Sequence, residues 1–387
     1  MTAIQMFVLC GAFLVLTHGL IPLGMTLLAL FRSPARRSIS SNQQLPRLIV
    51  VLVVHNEQNR VRARVENLLA CSYPDGRRSV VVVDNNSQDG TLRRLQQMQH
   101  PDLHILRLSG KRASFQTCVQ RALTGSPEVR FVAIAHPYQT YRSDALEALA
   151  PHLAQSGVMA AVGLVKTHPD AARFHRGTDF YRALFNALAW AQSRCQCLAI
   201  LPPGLVMARR ELFEWHSEQP GYNPSSLPIL AAQHRGRVVV ERSAQSYLAE
   251  PIHPTRYGRT LRLVLTDILE SIGNTLIPVL QHWHPTLRMA WFSFFTMILT
   301  PLVWVGLIAS AVLLARQQPQ FEFVQLGLLS VVGVAVLGWI TNVRAPFFTQ
   351  LSTYLRFNIL GFAASTVYAM RATARFARFA QASWTKP

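Results

Sequence analysis

Seven apolar residues in a row, Leu48 to Val54, are followed by a polar turn, and a second run, Val80–Val83, stops at Asp84. Runs this short, rich in Val and Ile and bounded by turn residues, predict buried strands over 47–55 and 79–84. Between them, 61–70 has helical spacing, with Leu68 and Leu69 on its core side. After Asp84 comes a turn of Asn, Ser, Asp and Gly. Ser87 is the expected N-cap of a helix over 88–98 that carries Thr91, Leu92 and Leu95. The alternation continues with a strand at 103–108, a helix at 111–123, a strand at 129–135, a helix at 143–153 and a strand at 158–165. Alternating strands and helices predict a mainly parallel sheet covered by helices on both faces. Beyond residue 170 the pattern loosens. It predicts a helix over 174–190, an apolar stretch at 198–207 leading into Arg209 and Arg210, a helix over 226–234 and a strand at 238–240.

Longer apolar stretches flank this region. No Asp, Glu, Lys or Arg occurs from Met1 to Phe31, nor in Met289–Ala315 or Phe323–Val343, and Ala345–Met370 is broken by Arg356. The first three are long enough to span a bilayer. The N-terminal stretch lacks a basic leading region and a small-residue cleavage site, which favours a retained anchor over a secretory signal. Lys and Arg concentrate in 32–288, and Arg371, Arg375, Arg378 and Lys386 mark the tail. The positive-inside rule then places the main domain in the cytoplasm of a multi-pass protein of the inner (plasma) membrane. The expected divisions are an anchor at 1–32, an α/β domain at 33–255, an amphipathic interfacial segment at 256–288 and a transmembrane hairpin at 289–343. The segment 344–387 is interfacial or a third C-terminal span, and ends in a basic tail.

The 387 residues carry a formal net charge of +19. Arg is spread along the chain and no nucleic-acid motif accompanies it, so anionic lipid and diphosphate-bearing substrates are the expected partners, not nucleic acid. Five cysteines show no zinc spacing, and Cys195-Gln196-Cys197 reads as structural.

Asp84 stands at the C-terminal end of a buried strand, where open α/β sheets bind ligands. With Val54-His55-Asn56-Glu57, Gly110-Lys111, Arg209-Arg210, the 247–251 segment and Trp384-Thr385-Lys386, it resembles membrane-bound family 2 glycosyltransferases of the GT-A (Rossmann-like) fold over roughly 45–260. The resemblance implies a nucleotide-sugar donor. Asp84 would accept from the base, Lys111 would lie near the diphosphate, and Asn56 and Glu57 would sit in the turn after the first strand. His136 and Arg259 occupy further substrate-binding positions. The acceptor would be a lipid or a glycan.

The motifs that carry the family's chemistry differ. Its metal-binding Asp-x-Asp falls on His136 and Tyr138, its Glu-Asp base on Ser225-Ser226, and its Gln-x-x-Arg-Trp on 256–260, where Arg259 remains and Thr260 replaces Trp. One His is a poor substitute for two carboxylates on Mg2+ or Mn2+, so no cofactor is expected. A Ser has no useful basicity at neutral pH. Two roles follow from the resemblance. One is a transferase with an altered site, using Asp179 or Glu241 as base. The other is an inactive homologue serving as a partner or scaffold subunit in exopolysaccharide or glycolipid synthesis. The catalytic residues stay unassigned.

Overall fold

The computed structural model describes residues 2–32, 45–167, 172–202, 204–215, 226–248 and 284–318, with 320, 322 and 324–329 beyond them. Helix α1 (Ala3–Val15) passes through one π turn, Leu16–Leu20, into α2 (Ile21–Phe31). Then follow β1 (Leu48–Val54), α3 (Val61–Leu69), β2 (Arg78–Asn85), α4 (Thr91–Gln96), β3 (Leu103–Leu108), α5 (Phe115–Thr124) and β4 (Phe131–Ala135). The second half adds β5 (Gln139–Tyr141), α6 (Ala145–Leu153), β6 (Val158–Thr167), α7 (Ala172–Arg194), β7 (Val206–Arg209), α8 (Arg210–Trp215), α9 (Leu227–Gln233) and β8 (Arg237–Leu248). Helix α10 (Pro285–Gln317) follows.

The strands form one eight-stranded sheet in the order β3-β2-β1-β4-β7-β6-β8-β5. Strand alternation sorts the valines into two cores. Ile49, Val51, Val81, Val83, Val132 and Ile134 face α5, α8 and α9. Leu48, Val50, Leu52, Val80 and Val82 face α3 and α6 through Val65, Leu68, Leu146 and Leu149. Each such side chain taken fully out of water contributes about 1.5–3 kcal/mol, which fixes the register of the central strands.

Three expectations change. The sheet is mixed, because β7 runs antiparallel to both β4 and β6, and β5 antiparallel to β8. The connection from β6 to β7 contains α7, yet β7 pairs antiparallel with both of its neighbours, so this helix does not make a parallel crossover. Ser87 caps no helix: α4 begins at Thr91, whose backbone N–H donates to Asp89 Oδ1 (3.0 Å). The helix expected at 111–123 begins at Phe115, capped by Ser114, which accepts from Thr117 N (3.1 Å).

Two helical stretches, Ala3–Phe31 (29 residues) and Pro285–Gln317 (33 residues), are long and apolar enough to cross a membrane. Val8, Leu9, Val15, Leu23, Leu27 and Leu28 of the first are exposed. Helix α1 packs along α10 and α2 along α7. The approach is close at Gly306, where an added Cβ would lie 3.1 Å from Cys10 Sγ. The expected segments at 256–283 and 330–387, with Arg259, Thr260 and the Trp384 motif, lie outside the described residues.

Candidate functional site

Strands β1 to β4 run parallel and end on one edge. Val54 pairs with Asp84, Asp84 with Arg107, and Leu52 with Ala135. The loops carrying Asn56 and Glu57, Asn85 to Asp89, Gly110 and Lys111, and His136 to Tyr138 therefore meet there. Asp84 is fully buried. No donor among the described residues reaches either of its carboxylate oxygens. An ionised carboxylate in that position is costly until a donor reaches it.

The surrounding loops are tied together by side chain–backbone hydrogen bonds. Asn56 adopts a left-handed φ of 56°, a conformation its short polar side chain tolerates. Its N–H donates to Ser87 Oγ (3.0 Å) and its Oδ1 accepts from Gln88 N (2.8 Å). Glu57 N donates to Thr91 Oγ1 (2.8 Å), and His55 Nδ1 donates to the Asn85 carbonyl (2.9 Å). Asn85 grips Ala113 at both ends, donating to its carbonyl and accepting from its N–H, each at 2.9 Å. Asn86 Nδ2 donates to the carbonyl of Gly110 (2.7 Å), whose φ of +97° requires glycine. Lys111 stands beside this anchored turn, exposed, with no ion pair to Asp84.

The end of β4 is built around a cation. Arg64 of α3 is 3% exposed. Its Nε donates to the His136 carbonyl (2.9 Å), a second donor reaches Asn67 Oδ1, and the guanidinium lies 4.2 Å from the Tyr141 ring centroid. The loop closes on itself, since His136 N donates to Tyr141 Oη (2.9 Å) and Tyr141 N to Asn67 Oδ1 (2.8 Å). Burial, reinforced by the Arg64 charge, lowers the half-buried His136 imidazole to about 4, so it is neutral at pH 7. Tyr138 donates to Glu57 Oε1 (2.6 Å), while Arg60 reaches Glu57 Oε2 (3.2 Å) and lies over the Tyr138 ring. Both Glu57 oxygens are thus engaged.

The edge therefore gathers Asn56, Glu57, Asp84, Lys111 and His136. Arg259 lies outside the described residues. Arg209 and Arg210 fall at the opposite end, because Arg209 pairs with Phe131 at the start of β4. They line a cavity of about 700 Å3 with Arg130 and Glu214, and their guanidinium groups donate to Val158, Leu153 and Ser126 carbonyls. Glu241 sits mid-strand opposite Gly163, not at the edge. It accepts from His152 Nε2 (2.7 Å) and from Ser243 N (2.8 Å) and Oγ (2.6 Å). Burial alone would raise its pKa, but these bonds outweigh it and hold the carboxyl at about 2, which makes a poor base. The side chain of Asp179 lies outside the described residues. Ser226 is buried just before α9. Arg64 was absent from the sequence-based site. Its signal was the spacing 61, 64, 65, 68, which puts an arginine on the buried face of a helix otherwise lined by Val61, Val65 and Leu68.

The sequence model for Glycosyl transferase family 2 matches residues 49–215. No curated protein matches the chain. Among solved structures, the mannosyltransferase PcManGT from Pyrobaculum calidifontis, in complex with GDP-Man and Mn2+, aligns with a TM-score of 0.70 at 20% identity, covering 94% of this chain and 99% of that one. The fold is thus shared over nearly the whole of both chains. S. aureus TarS aligns with a TM-score of 0.38 at 16% identity, over 58% of this chain and 40% of that one. The residues at the end of β4 do not fit a divalent ion: His136 and Tyr138 offer an imidazole and a phenol, Tyr138 is bonded to Glu57, and no three His, Cys, Asp or Glu converge among the described residues.

Proposed function

We propose that this chain, which belongs to glycosyl transferase family 2 through residues 49–215, takes a nucleotide-sugar donor at the Asp84 edge and passes the sugar to a lipid or glycan acceptor at the membrane. The observation that carries the reading is Asp84 itself, a buried carboxylate that no donor among the described residues reaches, at the C-terminal edge of the parallel strands. A base N–H supplies the donor it lacks. Lys111, on the turn fixed by Asn86 and Gly110, offsets diphosphate charge. Asn56 and Glu57 brace the loops around the pocket. The donor agrees with the GDP-Man of the mannosyltransferase that shares the fold. The two long apolar helices support a membrane setting, and the Lys and Arg between them support a cytoplasmic domain of an inner-membrane protein.

A second reading has its own support. His136 is neutral, Tyr138 is tied to Glu57, and Glu241 is locked to His152 and Ser243. A domain so arranged binds a nucleotide and serves as a partner subunit of a synthesis complex. The assay uses the full chain in lipid with a panel of nucleotide sugars and a lipid acceptor, with Mn2+ or with chelator. Single-sugar transfer in chelator supports the altered transferase. Nucleotide binding without transfer supports the partner subunit. Polymer formation abolished by chelator contradicts both.

A further inference from the structure

Arg64 is a buried cation whose partners among the described residues are all uncharged. They are the His136 carbonyl, the Asn67 side-chain oxygen and the Tyr141 ring. It makes no ion pair among the described residues, and its remaining NH2 is enclosed without an acceptor. Burial draws its pKa down from the usual guanidinium value, yet a guanidinium stays charged at any working pH. An uncompensated charge in such a place is destabilising unless an anion offsets it. Glu57, at the same edge, has both oxygens engaged by Tyr138 and Arg60.

The position of this charge is specific. It lies at the C-terminal ends of β1 and β4, beneath the loop of His136 to Tyr141, on the edge that carries Asp84 and Lys111. We infer that Arg64 is a fixed cation of the diphosphate subsite and that nucleotide binding by this chain is independent of divalent metal. The inference rests on the nucleotide-sugar reading above. A divalent ion entering the same loop meets an unpaired guanidinium and finds no carboxylate pair to neutralise it, so it is repelled where a diphosphate is attracted. The guanidinium is covered by the loop. It acts on the phosphates through space, in a low-dielectric setting that salt screens poorly. It is therefore a positioning residue and does not enter the chemistry. The neutral His136 adds no competing charge.

Calorimetric titration of the full chain in lipid tests the inference, with GDP, UDP, guanosine and uridine as probes, in EDTA and in Mn2+. Affinity for the bound diphosphate should differ by less than about threefold between the two conditions. Arg64→Gln should weaken the diphosphate by about tenfold or more and leave the matching nucleoside unchanged, and Arg64→Lys, which keeps the charge, should recover most of the loss. The metal comparison on the unaltered chain stands even where Arg64→Gln fails to fold. Diphosphate binding that requires Mn2+ overturns this inference and leaves the donor reading intact. Equal loss of nucleoside and diphosphate in Arg64→Gln assigns Arg64 a structural role and also overturns it. No binding of any probe overturns the donor reading, and this inference with it.

Discussion

His136 shows how a single residue in a familiar position can be chemically rewritten. Its imidazole pKa falls from 6.5 to about 4, so the unfolded chain binds the proton more tightly than the folded one between those values. Stability is accordingly full above about pH 6.5 and is lost as pH falls toward 4. Histidine NMR should show the ring neutral at pH 5.5, and His136→Gln should flatten the loss of thermal stability between pH 6.5 and 4; a ring that titrates near 6.5 would contradict the buried environment described. What the sequence disclosed at this scale was position. The valine run placed Asp84 at a strand end, and the turn placed Asn56 and Glu57 opposite it. Partners were not legible, because they depend on loops brought together across the sheet. Ser87 has the composition of a cap but its hydroxyl accepts from Asn56 N, and α4 starts after Gly90, with Asp89 Oδ1 accepting from the Thr91 N–H. Arg64 was legible in principle, since a charge at a core-facing helical position has to be accounted for.

Among the elements, the wide bulge in β8 is where strand, helix and charge are coupled. Gly163 faces Glu241 and Leu164 faces Gln245, so Arg242, Ser243 and Ala244 arch out of the ladder. The arch passes so close that a Cβ on Gly163 would lie 2.2 Å from the Ala244 carbonyl oxygen, and one on Gly204 2.0 Å from that of Gly163. Gly163→Ala and Gly204→Ala should each lower stability by roughly 1–3 kcal/mol or more, read from thermal unfolding, with unchanged melting speaking against the close packing. Glu241 ties the arch to His152 of α6. Its carboxyl lies at about 2 against an ordinary 4.5, so its contribution is present above about pH 4.5 and lost as pH falls through 2. Glu241→Gln should cost on the order of 2–3 kcal/mol at neutral pH and weaken the acid dependence in that window. Sequence periodicity found nearly every strand of the first half but not the direction of β7 or the existence of β5. Direction is set by the connection and by neighbours far along the chain, which a local pattern does not encode.

At the scale of the whole molecule, a sheet edge that suits a nucleotide is joined to two helices that suit a bilayer. The basic residues between them predict that a reporter fused after residue 100 reads as cytoplasmic and one near Pro319 as external; a cytoplasmic reading at Pro319 would contradict the crossing of α10. The overall layout, an α/β domain between apolar ends, could be read from composition and run length alone. Where the two long apolar helices sit against the domain could not, since it depends on α1 packing along α10 and α2 along α7. A nucleotide pocket at this edge requires Asp84 as its base-binding carboxylate. Calorimetric titration of GDP and UDP into the full chain and into Asp84→Ala measures this directly. Loss of a charged hydrogen bond in a desolvated site costs about 1.5–3 kcal/mol, so the variant should bind the preferred nucleotide roughly ten- to hundredfold more weakly. Equal affinity in the two proteins would place the nucleotide elsewhere and contradict the site described.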